Sequence, residues 1–255
     1  TRFFQGMNYM QVVRQFKEGQ QWARAAEYAQ PAFLLAGPGS MDLYWAAADY
    51  AKILEEQGDV LGSADVQRAA LVESLQPYSS MLQYMISNSY FSSLRYAAQK
   101  ERISRAAAAI EIGDLPTAQR NIAVGRRLQP QDIEMVVQCY PRLIQAGQPQ
   151  MAEELFQSYE RNMQAQIVQW PRDATALNNL AWMYAQCGRQ LDDGLELIRT
   201  ATRLAPNSAV FLDTLAELEY RTGQGPAAVE TMRACVRIDP RESHYRHNLV
   251  RFRSP

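Results

Sequence analysis

Several groupings in the 255-residue chain carry residue types that could do chemistry. Gly223-x-Gly225-x-x-Ala228 has the spacing of a turn that cradles a dinucleotide. That chemistry needs a strand before the first glycine and a helix N-terminus at the phosphate. A helical pattern precedes Gly223 instead, so the glycine reads as a turn between helices. Glu242, His244 and His247 bring a carboxylate and two imidazoles together, with the histidines able to share a face at i, i+3. No cysteine or further carboxylate completes a closed metal shell around them, and they read as solvated side chains. Arg241, Arg246, Arg251 and Arg253 make the C-terminal end basic, suited to a phosphate or an acidic partner, although a solvated face is the plainer reading. Cys139, Cys187 and Cys235 are odd in number, far apart and each inside a helical pattern. They read as buried apolar thiols, not as a disulfide framework. There is no H-E-x-x-H, no G-x-S-x-G and no P-loop. No catalytic residue, cofactor-binding residue or metal ligand is assigned, and the chain is expected not to be an enzyme.

Composition points the same way. With 47% hydrophobic residues the chain can bury a large core. A formal charge of -1 supplies no bulk attraction for nucleic acid or acidic membranes. Lysine occurs only at Lys17, Lys52 and Lys100, and arginine carries the positive charge. No apolar run approaches the roughly 20 residues that span a bilayer, and nothing at the start reads as a signal peptide. The chain opens at Thr1 and is expected to be a piece of a larger bacterial protein, with the cytoplasm as its expected location.

The elements follow from punctuation. Gly19, Gly58, Gly113, Gly147, Gly188 and Gly223 each sit between two helix-like stretches. Each is followed by a proline, at Pro38, Pro77, Pro130, Pro171, Pro206 and Pro240. Glycine takes the left-handed conformation that ends a helix, and proline cannot continue a helix interior. The alternation predicts antiparallel helix pairs over 1–38, 39–77, 78–130, 131–171, 172–206 and 207–240, with a short last helix in 241–255. Helices are expected at 9–18, 22–35, 42–57 and 64–75, and at 149–169, about two turns longer than usual. Pro31 and Pro141 fall inside helical patterns, and a kink is expected at Pro141. Residues 79–112 contain no Gly or Pro, and one helix that long would extend about 50 Å. Ser87, Asn88, Ser89, Ser92 and Ser93 mark the expected break, giving an extra helix over 79–87 and a long one to 112. Arg102 and Arg105 stand in that long helix where large apolar residues are expected. Tyr78, Tyr84, Tyr90, Phe91 and Tyr96, with Met81 and Met85, read as packing of the inserted helix or as an adaptable contact surface.

The last two complete pairs are copies of one pattern. Leu177-x2-Leu180-Ala181-x2-Tyr184, Gly188, Gly194-x3-Ile198 and Pro206 are matched by Leu212-x2-Leu215-Ala216, Gly223, Ala228-x3-Met232 and Pro240. Pro206 and Pro240 lie 34 residues apart. This resembles the tetratricopeptide (TPR) family, clearly over about 130–255, partially over 40–130 and slightly before that. The resemblance implies an all-α, TPR-like right-handed solenoid of about six units, a single domain over 1–255, capped by the last helix. The stripe Tyr245, Leu249 and Phe252 would cover the exposed end, as solenoids require.

The resemblance also implies where a partner would sit, because first helices line the concave surface in that family. On the fifth pair that face carries Thr175, Asn178, Asn179, Trp182 and Gln186, one continuous stripe. On the sixth it carries Val210, Asp213, Thr214, Glu217 and Arg221, with Tyr220 beside it. Asn side chains both donate to and accept from a peptide backbone, and Trp182 offers a rigid anchor or packs on the neighbouring pair. The clamp by which some family members grip chaperone carboxy-termini is matched at Asn179 alone. Val210 and Thr214 on the next helix, and Val137 and Pro141 on the preceding one, stand where it departs. Asp213 and Glu217, one turn apart, suggest an acidic wall for an Arg- or Lys-bearing segment. The expected function is therefore a non-catalytic scaffold for a protein or peptide partner, without cofactors. A second class is an accessory domain whose catalytic part lies elsewhere in a longer protein. A third, a nucleic-acid reader at the Arg-rich end, predicts steep salt dependence and is disfavoured, because basic residues do not run along the array.

Overall fold

The computed structural model describes residues 2–76, 79–87 and 91–253, with side chains over 9–76, 79–84 and 94–253. All regular structure among them is α-helical, and it falls into two compact units, 1–130 and 131–255.

The first unit contains α1 (Arg2–Glu18), α2 (Trp22–Leu35), α3 (Met41–Glu56), α4 (Val60–Ser74), α5 (Ser80–Ser87), α6 (Phe91–Glu111) and α7 (Leu115–Leu128). Ser40, Asp59 and Asp114 cap α3, α4 and α7, each side chain accepting a backbone N–H from the first turn. Such caps satisfy donors that a helix start leaves orphaned. Val13, Ala25, Ala29 and Ile53 form the core between α1, α2 and α3. Pro31 sits inside α2, which continues to Leu35. The inserted helix and the long one fall where the serine-rich stretch predicts; residues 88–90 of that break, like Tyr78, lie outside the described residues. Of the aromatic cluster, Tyr84 and Tyr96 are about half exposed and Met81 is buried; Tyr90 and the side chains of Met85 and Phe91 also lie outside the description.

α6 packs against both α4 and α7, and its run Ala106 to Ile110 is buried throughout. Alanine on every side lets two helices approach at once, which a wider side chain would prevent. The same double packing explains Arg102 and Arg105. Glu101 is 3% exposed and pairs with Arg105 at 2.5 Å, while Arg105 also reaches Asp65 on α4 at 2.9 Å. Arg102 donates to Asn121 on α7 at 3.0 Å. Polar contacts to α4 and α7 thus replace the apolar contacts expected at these positions.

The second unit contains α8 (Glu134–Gln145), α9 (Pro149–Gln169), α10 (Ala174–Cys187), α11 (Leu191–Leu204), α12 (Ala209–Arg221), α13 (Gly225–Ile238) and α14 (Ser243–Arg253). Each helix of this unit packs against the next along the chain, and α10 also contacts α8 and α12. The small residues of the repeat do what the pattern implies. Ala181 and Ala216 are fully buried. A Cβ on Gly194 would come within 3.1 Å of Leu218 and 3.5 Å of Tyr184. Leu177, Leu195, Ile198 and Leu218 close the core of α10, α11 and α12. Ala216, Met232, Cys235, Tyr245 and Phe252 close that of α12, α13 and α14. All three cysteines are free and buried, and burial pushes each thiol up to about 12.

The turn glycines divide by conformation. Gly58, Gly113, Gly147, Gly188 and Gly223 have positive φ, but at the first turn Gln20 takes the left-handed position at φ 54° and Gly19 does not. At Gly188, φ is 63° and a Cβ would touch nothing within 4 Å. The demand for glycine is therefore conformational alone. Gly188→Ala should lower stability by about 1–2 kcal/mol, and Gly188→Asn by less because Asn tolerates this region. Urea midpoints of the three proteins check the order.

Candidate functional site

The second unit carries an open groove of about 580 Å³ lined by Gln131, Asp132, Ile133, Asn178, Asn179, Trp182, Val210, Asp213 and Thr214. Three helix starts fix its walls. Asp132 accepts the Glu134 N–H at 2.9 Å ahead of α8. Asp173 caps α10 through the Thr175 and Ala176 N–H groups at 3.1 and 3.0 Å, and Ser208 caps α12. With α10 set beside α8 and α12, the polar stripe of α10 becomes the floor.

Six of the residues expected to line the groove meet there: Asn178, Asn179, Trp182, Val210, Asp213 and Thr214. Val210 is 58% exposed and Trp182 is partly buried. Thr214 is almost fully buried, and its hydroxyl donates back to the Val210 carbonyl at 3.3 Å. Asn178 is 6% exposed; its amide donates to Asn179 Oδ1 at 3.3 Å while its own Oδ1 is buried without a partner. A buried acceptor left unmatched costs about 1–3 kcal/mol.

Thr175, Gln186, Glu217, Tyr220 and Arg221 do not line this groove. Thr175 is exposed at the head of α10, and Gln186 lies near its end. The other three meet α14. Tyr220 stacks on Phe252 with ring centroids 4.7 Å apart. Glu217 is 3% exposed; it accepts from Arg221 Nε at 2.6 Å and forms an ion pair with Arg251. Asp213 accepts from Asn248 at 3.2 Å and lies 3.3 Å from His244 Nε2. That contact, opposed in part by burial, raises the His244 pKa. The acidic wall suggested for a partner's arginine is thus corrected: the chain's own Arg251, Asn248 and His244 already cover it. His244 and Arg251, expected as solvated side chains, instead meet α12 together with Asn248, at i, i+4 and i+7 on α14; Asn248 and Gln131 to Ile133 ahead of α8 carry no expectation from sequence. The 3.6-residue spacing of His244, Asn248 and Arg251 was the available signal.

Among the described residues, no group of three His, Cys, Asp or Glu side chains could hold a metal ion. No described helix is long and apolar enough to cross a membrane.

Helix order, left-handed turn residues, small seam residues and a 34-residue spacing together define a TPR-like all-α architecture of paired helices. No protein-family model matches the sequence, and no curated protein matches it either. Solved structures similar to it include a tetratricopeptide repeat protein from Parabacteroides merdae, at 11% identity and a TM-score of 0.42, covering 97% of this chain and 98% of that one. Yeast Tom70 is similar at 16% identity and a TM-score of 0.42, covering 97% of this chain and 51% of its own. YrrB, described as a TPR protein with an unusual peptide-binding site, is similar at 14% identity and a TM-score of 0.35, covering 80% and 91%.

Proposed function

We propose that this protein is a non-catalytic scaffold whose residues 131–255 hold a segment of a partner protein in the groove between α8, α10 and α12. The observation that carries the reading is the floor of that groove. The buried Asn178 Oδ1 lacks a donor, Asn179 stands beside it, and Trp182 and the exposed Val210 flank the pair. An extended peptide offers backbone N–H and C=O groups at regular spacing, and the half-buried Asn179 amide can both donate to and accept from them. Glu217, Tyr220 and Arg221 contribute at the end of α12 on which α14 packs. The reading extends to a cytoplasmic place of work, which the three free, buried thiols favour because thiols stay reduced there.

Site-specific photocrosslinking tests it. A benzoylphenylalanine at Val210 should give a discrete adduct with a cellular protein. The same group at the exposed Arg233 on α13 should not, and Trp182→Ala with Asn179→Ala should abolish the Val210 adduct. Equal adducts at both positions would remove the groove as the contact surface.

A further inference from the structure

We infer that Arg221 and Arg251 form a carboxylate-binding site at the α14 side of the groove, for an acidic side chain of the bound segment. The inference rests on the peptide-groove reading above and adds the chemistry of the partner to it. It reverses the polarity that Asp213 and Glu217 suggest in the sequence.

The charges are unequal. Glu217 is one buried anion, and two guanidinium groups converge on it. Neither arginine has a second acidic partner among the described residues, so the triad keeps a surplus of one positive charge. Asp213, one turn earlier on α12, is occupied by Asn248 and His244. Both arginines keep an outward edge: their side chains are 33% and 40% exposed. Arg251 also packs against two rings, its guanidinium 4.7 Å from the Phe252 ring centre and 5.5 Å from that of Tyr220. Its Nε is buried with no acceptor. Glu217 thus acts as a prop that fixes two forks toward solvent, and forks fixed in advance lose less entropy when they take a carboxylate.

The position fits the groove. Along α12, Glu217 and Arg221 lie about 5 and 11 Å beyond Thr214. A segment lying over Asn179 and Thr214 therefore reaches the arginine pair within a few residues. The plain alternative is that the triad only fastens α14 to α12. It predicts no preference for acidic ligands.

The full chain, immobilised, should be panned against a displayed library of random twelve-residue peptides, and winners measured as free peptides by fluorescence anisotropy. The expected result is enrichment of Asp or Glu at one position, with binding weakened about tenfold by Arg221→Gln. Arg221→Lys should fall between, since it keeps the charge and loses the fork. Raised salt should weaken the acidic winners. Binders that depend on Trp182 but show no acidic enrichment, and that bind Arg221→Gln equally, would overturn the carboxylate site and leave the groove standing. A library that yields no binder would remove the groove reading, and this site with it. Enrichment in the wild-type selection decides the matter even should a variant melt early.

Discussion

Phe156→Ala should destabilise residues 131–255 by about 3–5 kcal/mol, the range for emptying an aromatic site in a core. Phe156 is 1% exposed on α9. Its ring centre lies 5.7 Å from that of Tyr140 on α8 and 6.0 Å from that of Tyr184 on α10, where the rings stack. Arg189 covers the same ring at 4.8 Å, held by the Tyr140 hydroxyl at 3.1 Å and Glu153 at 2.6 Å. One side chain therefore joins three consecutive helices and seats the cation that follows α10. In a repeat array each unit draws stability from its neighbour interface, so a cavity there removes interface energy as well as packing. Against a total of about 5–15 kcal/mol for an ordinary domain, the loss is a large share. The denaturant midpoint should fall with little change in slope. Tyr140→Phe serves as the control: it deletes one hydrogen bond and keeps the ring, costing about 0.5–1.5 kcal/mol. Equal losses in the two variants would show that the Arg189 contact, not the aromatic packing, joins these helices.

What the sequence revealed and what it hid divide by distance along the chain. Most helix ends were legible because glycine, proline and serine act within a turn of where they stand, although α1 and α4 begin at Arg2 and Val60, ahead of the starts expected at 9 and 64. α9 runs from Pro149 to Gln169 and α2 from Trp22 to Leu35, as the punctuation predicts. Gln20 shows the limit of that signal, since a turn needs one left-handed residue and the chain places it beside the glycine. The face of a helix was legible from its 3.6-residue period, and six groove residues came from it. What covers that face was not. Glu217 meets Arg251 from 34 residues downstream, and Arg105 meets Asp65 from 40 residues upstream. Periodicity on one helix is silent about a partner on another, so Asp213 and Glu217 read as open acid when they are closed by α14. Asn178 failed in the opposite direction: its stripe position reads as exposed, yet the structure buries it and leaves its oxygen without a donor.

Glu217→Gln should therefore have an effect out of proportion to the atoms changed. The amide is isosteric and can still accept from one arginine, but the charge that reconciles Arg221 with Arg251 is gone. Removing one partner from a fully buried ion pair costs about 3–5 kcal/mol. Here both arginines are a third or more exposed, so solvent screening reduces the expected loss to about 2 kcal/mol. The damage should be local first. α14 is held at this end by the Arg251 contact, with Tyr245 and Phe252 in the α12–α13 core. Amide hydrogen exchange should speed up across α14 before it does in α10 or α11. Raised salt should return part of the lost stability by screening the two cations. Adding Arg221→Gln to Glu217→Gln should relieve the repulsion, so the double variant should be more stable than the sum of the two single losses predicts. Strict additivity would mean that the two arginines do not share Glu217 in solution, and the carboxylate site built on that sharing would fall with it.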